Sequence, residues 1–195
     1  AGDLINYTLG APTYENGRKF RIRPNHLMGT VINSPVVTIP SRTGSVSTVA
    51  GSCTYPASAN ISSRPNRHVV AANDGMFYVL DTSGNEIASY MPSTALRQLT
   101  HYASSDYSHF FMNDGIAATS EVCFDKGDGK GDGNAHTVVV GTAGRGGNSV
   151  YALDLTNPTT WTKKICCGNS QMLVWVRACL HQLSRMTIQA HLWRL

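Results

Sequence analysis

Apolar and polar positions change over in short runs along this chain, and turn residues break the runs every few positions. In "HVVAANDGMFYVLDTSGNE", residues 68–86, an apolar run meets Asn73-Asp74-Gly75, a second apolar run follows, and Thr-Ser-Gly-Asn closes the unit. Gly and Asn tolerate positive φ, so the pattern predicts two strands joined by a tight turn. "IASYMP" predicts a third strand. Downstream, "HTVVVG", the glycine-rich "TAGRGGN" and "SVYALDLT" predict a second hairpin, so that residues 67–91 and 135–156 form equivalent units. Helical spacing is clear in "STALRQLTHYA", where Leu96, Leu99 and Tyr102 fall on one stripe and Ser93 is a candidate N-cap. This predicts one short helix.

Elsewhere the pattern is weaker. "DLINYTLG" fits a short helix or a strand. In "GRKFRIRPNHLMG", Phe20 and Ile22 alternate with basic residues, which predicts a half-buried strand. "GTVINSPVVTIP" reads as an extended stretch broken by Pro35 and ended by Pro40. Residues 41–66, rich in Ser, Thr, Gly, Pro and Asn, read as a long surface loop. "YSHFFMNDGIAATSEV" returns to strand character before a Gly/Asp loop over 125–134.

The two hairpins share one grammar. Each starts with His and an apolar strand, turns on Gly, and ends in Tyr, two further apolar residues and Asp: Tyr78-Val79-Leu80-Asp81 and Tyr151-Ala152-Leu153-Asp154. "NSPVV" and "NDGIAA" precede the two units in the same relation. Each aspartate is expected to cap the following turn with its own side chain. Repeated four-stranded units of this size imply a β-propeller, and two blades alone cannot close a ring. The expected fold is therefore all-β: a partial propeller of about two blades. Val69, Phe77, Val79, Val138, Val140 and Tyr151 are candidates for the surface on which blades pack.

Charge and cysteine content narrow the function. Of 195 residues only 14% are charged, and the net charge is +4. Residues 165–195 hold Arg177, Arg185 and Arg194 and no acidic residue, leaving 13 basic and 12 acidic groups before them. The body is thus near neutral, which argues against nucleic acid as a partner. No run of 18 apolar residues is present to span a membrane, and no basic-then-apolar signal peptide opens the chain. Without a Cys-x-x-Cys pair, zinc is not expected. Cys53 and Cys123 are either a disulfide formed in an oxidising compartment or two free thiols.

The string "VINSPVV…HVVAANDGMFYVLDTSGNE…YMP…YSHFFMNDGIAATSEV…HTVVVGTAGRGGNSVYALDLTNP" resembles the C-terminal propeller of the PilY/PilC proteins of type IV pili, over roughly residues 1–164. The order of the motifs carries the resemblance, not any one of them. It implies a quinoprotein-like propeller with no enzymatic role, working in pilus assembly, adhesion and surface mechanics. The expected partners are pilins and a host surface, and the expected location is the cell surface, outer membrane or periplasm. It implies that the chain is a fragment lacking a large N-terminal adhesive region. The family's propeller has a calcium loop, which does not map onto these residues. Two alternatives stand beside this one: a fragment of a quinoprotein dehydrogenase using pyrroloquinoline quinone and calcium, and a generic periplasmic scaffold propeller. The dehydrogenase needs a stacking Trp and a catalytic Asp near the ring axis, whereas the body's single Trp is Trp161 in "NPTTWTKK".

Candidate chemistry is sparse. Asp125, Asp128 and Asp132 in "DKGDGKGDGN" offer oxygen ligands to calcium, but the order is not that of an EF-hand, and Lys126 and Lys130 compete with a cation. A solvated loop accounts for them more simply. His109 lacks a partner motif and reads as a structural histidine. "GTAGRGGN" lacks the phosphate-loop Lys-Ser/Thr and leads into a strand. Asn73, Gly75, Gly144 and Gly146 read as turn residues. No catalytic, cofactor-binding or metal residue is assigned.

The division expected is a lead-in over 1–30, blades over 31–164 and a tail over 165–195. The tail, "ICCGNSQMLVWVRACLHQLSRMTIQAHLWRL", departs from the body in composition. Read from the third base of the Ile165 codon, its back-translation permits "LLWEFSD", which would continue the blade, so the tail is expected to be out of frame and non-native. The competing reading is an amphipathic helix along Leu173, Val176, Leu180 and Leu183.

Overall fold

The computed structural model describes residues 2–15, 19–24, 27–41, 45–48, 51–55, 64–123 and 134–158. The tail at 165–195, Trp161 and the aspartates Asp125, Asp128 and Asp132 lie outside the described residues. Among the described residues, nine strands form three antiparallel sheets. The first sheet has the order β1-β4-β5-β6: β1 (Val37–Ile39), β4 (Arg67–Ala71), β5 (Phe77–Leu80) and β6 (Glu86–Tyr90). The second has the order β7-β8-β9: β7 (Ala117–Cys123), β8 (Ala135–Thr142) and β9 (Val150–Asp154). The third is a hairpin, β2 (Ser45–Thr48) with β3 (Gly51–Thr54), inserted between β1 and β4.

The two apolar hairpins form as their sequences predict. In β4–β5, Val69 pairs with Val79 and Ala71 with Phe77, which puts all four on one face. In β8–β9, Val139 pairs with Leu153, and Gly141 lies opposite Tyr151. These two faces meet. Val69, Phe77, Val79 and Tyr90 from the first sheet bury a common core with Val139, Tyr151, Leu153 and Leu155. The Tyr151 ring meets Phe77 edge-on at 5.5 Å between centroids.

Period-2 geometry corrects one expectation. Val69, Phe77, Val79 and Tyr151 do lie in the packing between sheets. Val138 and Val140, one step from Val139 along β8, face the other way and cluster with Val122 and Ala152.

Tyr151 points from the second sheet toward the first. Tyr78, its counterpart in the grammar, points away from that core, onto a separate cluster that holds Tyr7 and Phe20 from before the sheet and Met91, Ala95, Leu99, Tyr102 and Met112 from after it.

The chain has three short α-helices among the described residues, not one: α1 (Gly2–Thr8), α2 (Ser93–Leu96) and α3 (Leu99–Tyr102). The predicted single helix is divided near Arg97 and Gln98, and Ser93 is its first residue while Pro92 occupies the cap. Tyr7 of α1 is buried against Phe20 and Tyr102. None of these helices is long and apolar enough to cross a membrane.

Two further expectations are corrected. Residues 41–66 are not all loop, because they contain β2 and β3. The described residues 19–24 do not form the strand expected around Phe20 and Ile22, and Ile22 is exposed. Arg21 holds this segment instead. Its backbone N–H donates to Ala103 O, its Nε–H to Tyr102 O, and its guanidinium lies 3.8 Å from the Tyr107 ring centroid.

Candidate functional site

The densest polar cluster is a buried corner where the lead-in meets both sheets. It is built from two Asn-Asp-Gly turns, at 73–75 and 113–115, and from Asn33. The first turn joins β4 to β5. Gly75 has φ 93°, and a Cβ there would fall 2.9 Å from Ala95 Cβ, so both conformation and space demand glycine. The second turn enters β7, and Asp114 N–H donates to Ala143 O at the end of β8.

Buried carboxylates need donors, and here each carboxylate oxygen has one. Asp74 Oδ1 accepts from Met76 N–H at 2.9 Å, and Oδ2 accepts from Gly29 N–H at 2.7 Å and the Tyr78 hydroxyl at 2.6 Å. Asp114 Oδ1 accepts from Asn33 N–H and from the Asn73 amide, both at 3.1 Å. Its Oδ2 accepts from the Asn33 amide. Asn73 Oδ1 accepts from Met112 N–H at 3.0 Å, and Asn113 links Met76 O to the Tyr151 hydroxyl. Asn73 is more than the turn residue expected: its side chain bridges the two turns. Burial pushes the Asp74 carboxyl above the usual carboxylate range, partly offset by its three donors. Burial also raises the Tyr78 and Tyr151 hydroxyls above the usual phenol range.

A second polar cluster sits lower between the sheets. Arg64 donates to the Thr137 hydroxyl at 2.7 Å and to Pro40 O at 3.1 Å, and lies 3.8 Å from Glu121. Thr137 Oγ1 donates to Glu121 at 2.8 Å, and the Tyr55 hydroxyl is 3.1 Å from it. Arg67 donates to Leu155 O at 2.8 Å. Burial, and then the neighbouring Arg64 charge, pull the Arg67 guanidinium down to about 10. Beside this cluster Cys53 of β3 and Cys123 of β7 form a disulfide, with Cα atoms 5.9 Å apart, which closes the choice left open by the sequence.

The predicted aspartate caps are in place. Asp81 Oδ1 accepts from Ser83 N–H and Asn85 N–H, both at 2.8 Å. Asp154 Oδ1 accepts from Thr156 N–H at 2.8 Å, and its Oδ2 lies 2.7 Å from His136 Nδ1. Burial would raise Asp154, but the bonds from His136 and Thr156 outweigh it and hold the carboxyl below the usual range. His109 is exposed, with its ring edge-on to Phe111 at 5.3 Å. Gly146 approaches Met112 so closely that a Cβ would fall 2.1 Å from Met112 O, while Gly144 has φ 55°. Among the described residues no group of three or more His, Cys, Asp or Glu side chains could hold a metal ion.

Residues 28–165 match the model of the PilY1 beta-propeller domain. A type IV pilus biogenesis factor PilY1 homolog of Xylella fastidiosa is 33% identical over 162 residues, covering 80% of this chain and 13% of the relative. The type IV pilus biogenesis factor PilY1 of Pseudomonas aeruginosa strain PAK is 31% identical over 163 residues, again 80% of this chain and 13% of the relative. The crystal structure of the Pseudomonas aeruginosa PilY1 C-terminal domain matches at 30% identity and a TM-score of 0.37, over 52% of this chain and 18% of that one. The chain therefore spans about one eighth of the length of these curated relatives.

Proposed function

The chain belongs to the PilY1 β-propeller family, and from that membership we propose that it serves as a non-enzymatic, protein-binding part of a longer type IV pilus biogenesis factor. Its partners in this reading are pilus components, with pilins first, and its place is the cell surface, outer membrane or periplasm. Adhesion to a host surface belongs to the same proposal.

One observation carries the non-enzymatic reading. The carboxylates of Asp74 and Asp114 are the most reaction-like groups in the described fold. All four of their oxygens are engaged by donors from Gly29, Asn33, Asn73, Met76 and Tyr78. A general base or a metal ligand needs an oxygen facing substrate or ion. The Asp74 oxygens face backbone N–H groups and the Tyr78 hydroxyl and hold the lead-in on the first sheet, and the Asp114 oxygens face Asn33 and Asn73 and hold the second turn on the first.

The division of the chain is part of the same reading. The family match ends at residue 165, next to the point where composition changes. This supports a lead-in over 1–30, blades over 31–164 and an out-of-frame tail, which the nucleotide sequence of the locus tests.

The functional experiment is removal of residues 28–165 from the full-length protein in its host, followed by counting surface pili by electron microscopy. Loss of pili, restored by the intact gene, is expected. Normal piliation overturns the assignment. Capture of pilin by the intact protein, but not by the shortened one, separates a pilus role from that of a generic scaffold.

A further inference from the structure

The β2–β3 hairpin leaves the first sheet after β1 and packs on β7 of the second. It is a strap across the boundary between the two units. The other described bonds beside it are polar: Tyr55 with Thr137, and Arg64 with Thr137 and Glu121. Arg64, Thr137 and Glu121 lie outside the hairpin, so their bonds to one another need not open when it leaves the sheet. The covalent tie is Cys53–Cys123, which joins residues 70 apart in sequence and links strap to sheet. Both cysteines are half-buried, so a small thiol can reach the bond. The apolar core holding the sheets together lies elsewhere, on Val69, Phe77, Val79, Val139, Tyr151 and Leu153.

We propose that the β2–β3 hairpin is a redox-locked strap, closed on the second sheet when Cys53 and Cys123 are oxidised and released when they are reduced, while the sheet-to-sheet core stays intact. Locking joins the two Sγ atoms. Two protons leave, and two electrons pass to the disulfide of a thiol-disulfide exchange protein, which becomes a dithiol. Release is the reverse, with a dithiol as reductant. The strap would thus differ between an oxidising and a reducing compartment without loss of the fold.

Amide hydrogen exchange on the full-length protein, read over these residues, tests this, before and after reduction with dithiothreitol and again after reoxidation. Reduction is expected to raise exchange across Ser45–Thr54 by roughly tenfold or more. Protection at Val69–Ala71, Phe77–Leu80 and Val138–Thr142 should persist, and reoxidation should restore the strap. The Cys53→Ser, Cys123→Ser double variant should match the reduced protein. If that variant does not fold, reduction of the already folded chain remains decisive. Unchanged exchange in the strap after reduction overturns the proposal, as does a joint loss of protection in all three sheets.

Discussion

Asn33 and Asp114 are 81 residues apart in sequence, yet the backbone N–H and the side-chain amide of Asn33 both donate to the Asp114 carboxylate. The lead to the first sheet is thereby pinned to the lead to the second. Removing the carboxylate leaves the buried Asn73 amide without its acceptor and turns two donors of the exposed Asn33 over to water. Asp114→Ala should cost about 1–3 kcal/mol by urea denaturation. A cycle with Asn33→Ala should show coupling of roughly 1–2 kcal/mol. Additive effects of the two substitutions would show that this pair does not tie the units.

The turn at Gly75 and the turn at Gly84 separate backbone strain from crowding. Both have positive φ, 93° and 84°, but a Cβ at Gly84 meets open space. Gly84→Ala should cost about 1 kcal/mol. Gly75→Val should cost more, roughly 1–3 kcal/mol. Equal melting shifts would refute the crowding at Gly75.

Neighbouring valines on β8 should respond unequally. Val139 is fully buried against the first sheet, and Val140 is half-buried on the opposite face. Val139→Ala should lower stability by about 2 kcal/mol, and Val140→Ala by less than about 1 kcal/mol. The reverse order in denaturant melts would invert the sheet facing described for β8.

Two carboxylates give stability opposite dependences on pH. The Asp74 pKa is raised on folding, so its contribution is complete below the unfolded carboxylate pKa, near 4, and is lost as pH rises through its higher folded value. The Asp154 pKa is lowered, so its contribution is present above the unfolded value and is lost as pH falls through the lower folded one. Stability of wild type minus Asp74→Asn should therefore fall with rising pH across that window. Wild type minus Asp154→Asn should fall with acidification. A slope of the opposite sign in either difference would reject that assignment.

The β4–β5 and β8–β9 hairpins were legible because a period-2 pattern bounded by Gly and Asn leaves few alternatives to a strand pair. The aspartate caps were legible because an Asx turn lies within one short segment. Long-range features were not. The spacing of Cys53 and Cys123 does not fix whether they meet. The strap strands have no apolar alternation to separate them from loop. Arg21 makes the segment beside Phe20 look like a strand, but its guanidinium stacks on Tyr107, a contact invisible to periodicity. Asn73 looked like a turn residue because its second task, bonding Met112 and Asp114, depends on the other repeat. The signal that could have found this corner was the recurrence of Asn-Asp-Gly itself.

The central claim is that the Asn-Asp corner fastens propeller units of a pilus biogenesis factor and performs no chemistry. Asp74→Asn in the full-length protein tests it most directly, with surface pili per cell counted against the amount of folded protein in the same cells. Piliation is predicted to follow the folded amount, as in wild type. Normal levels of folded protein with pili absent would contradict the account, because Asp74 would then act as a site and not as a fastening.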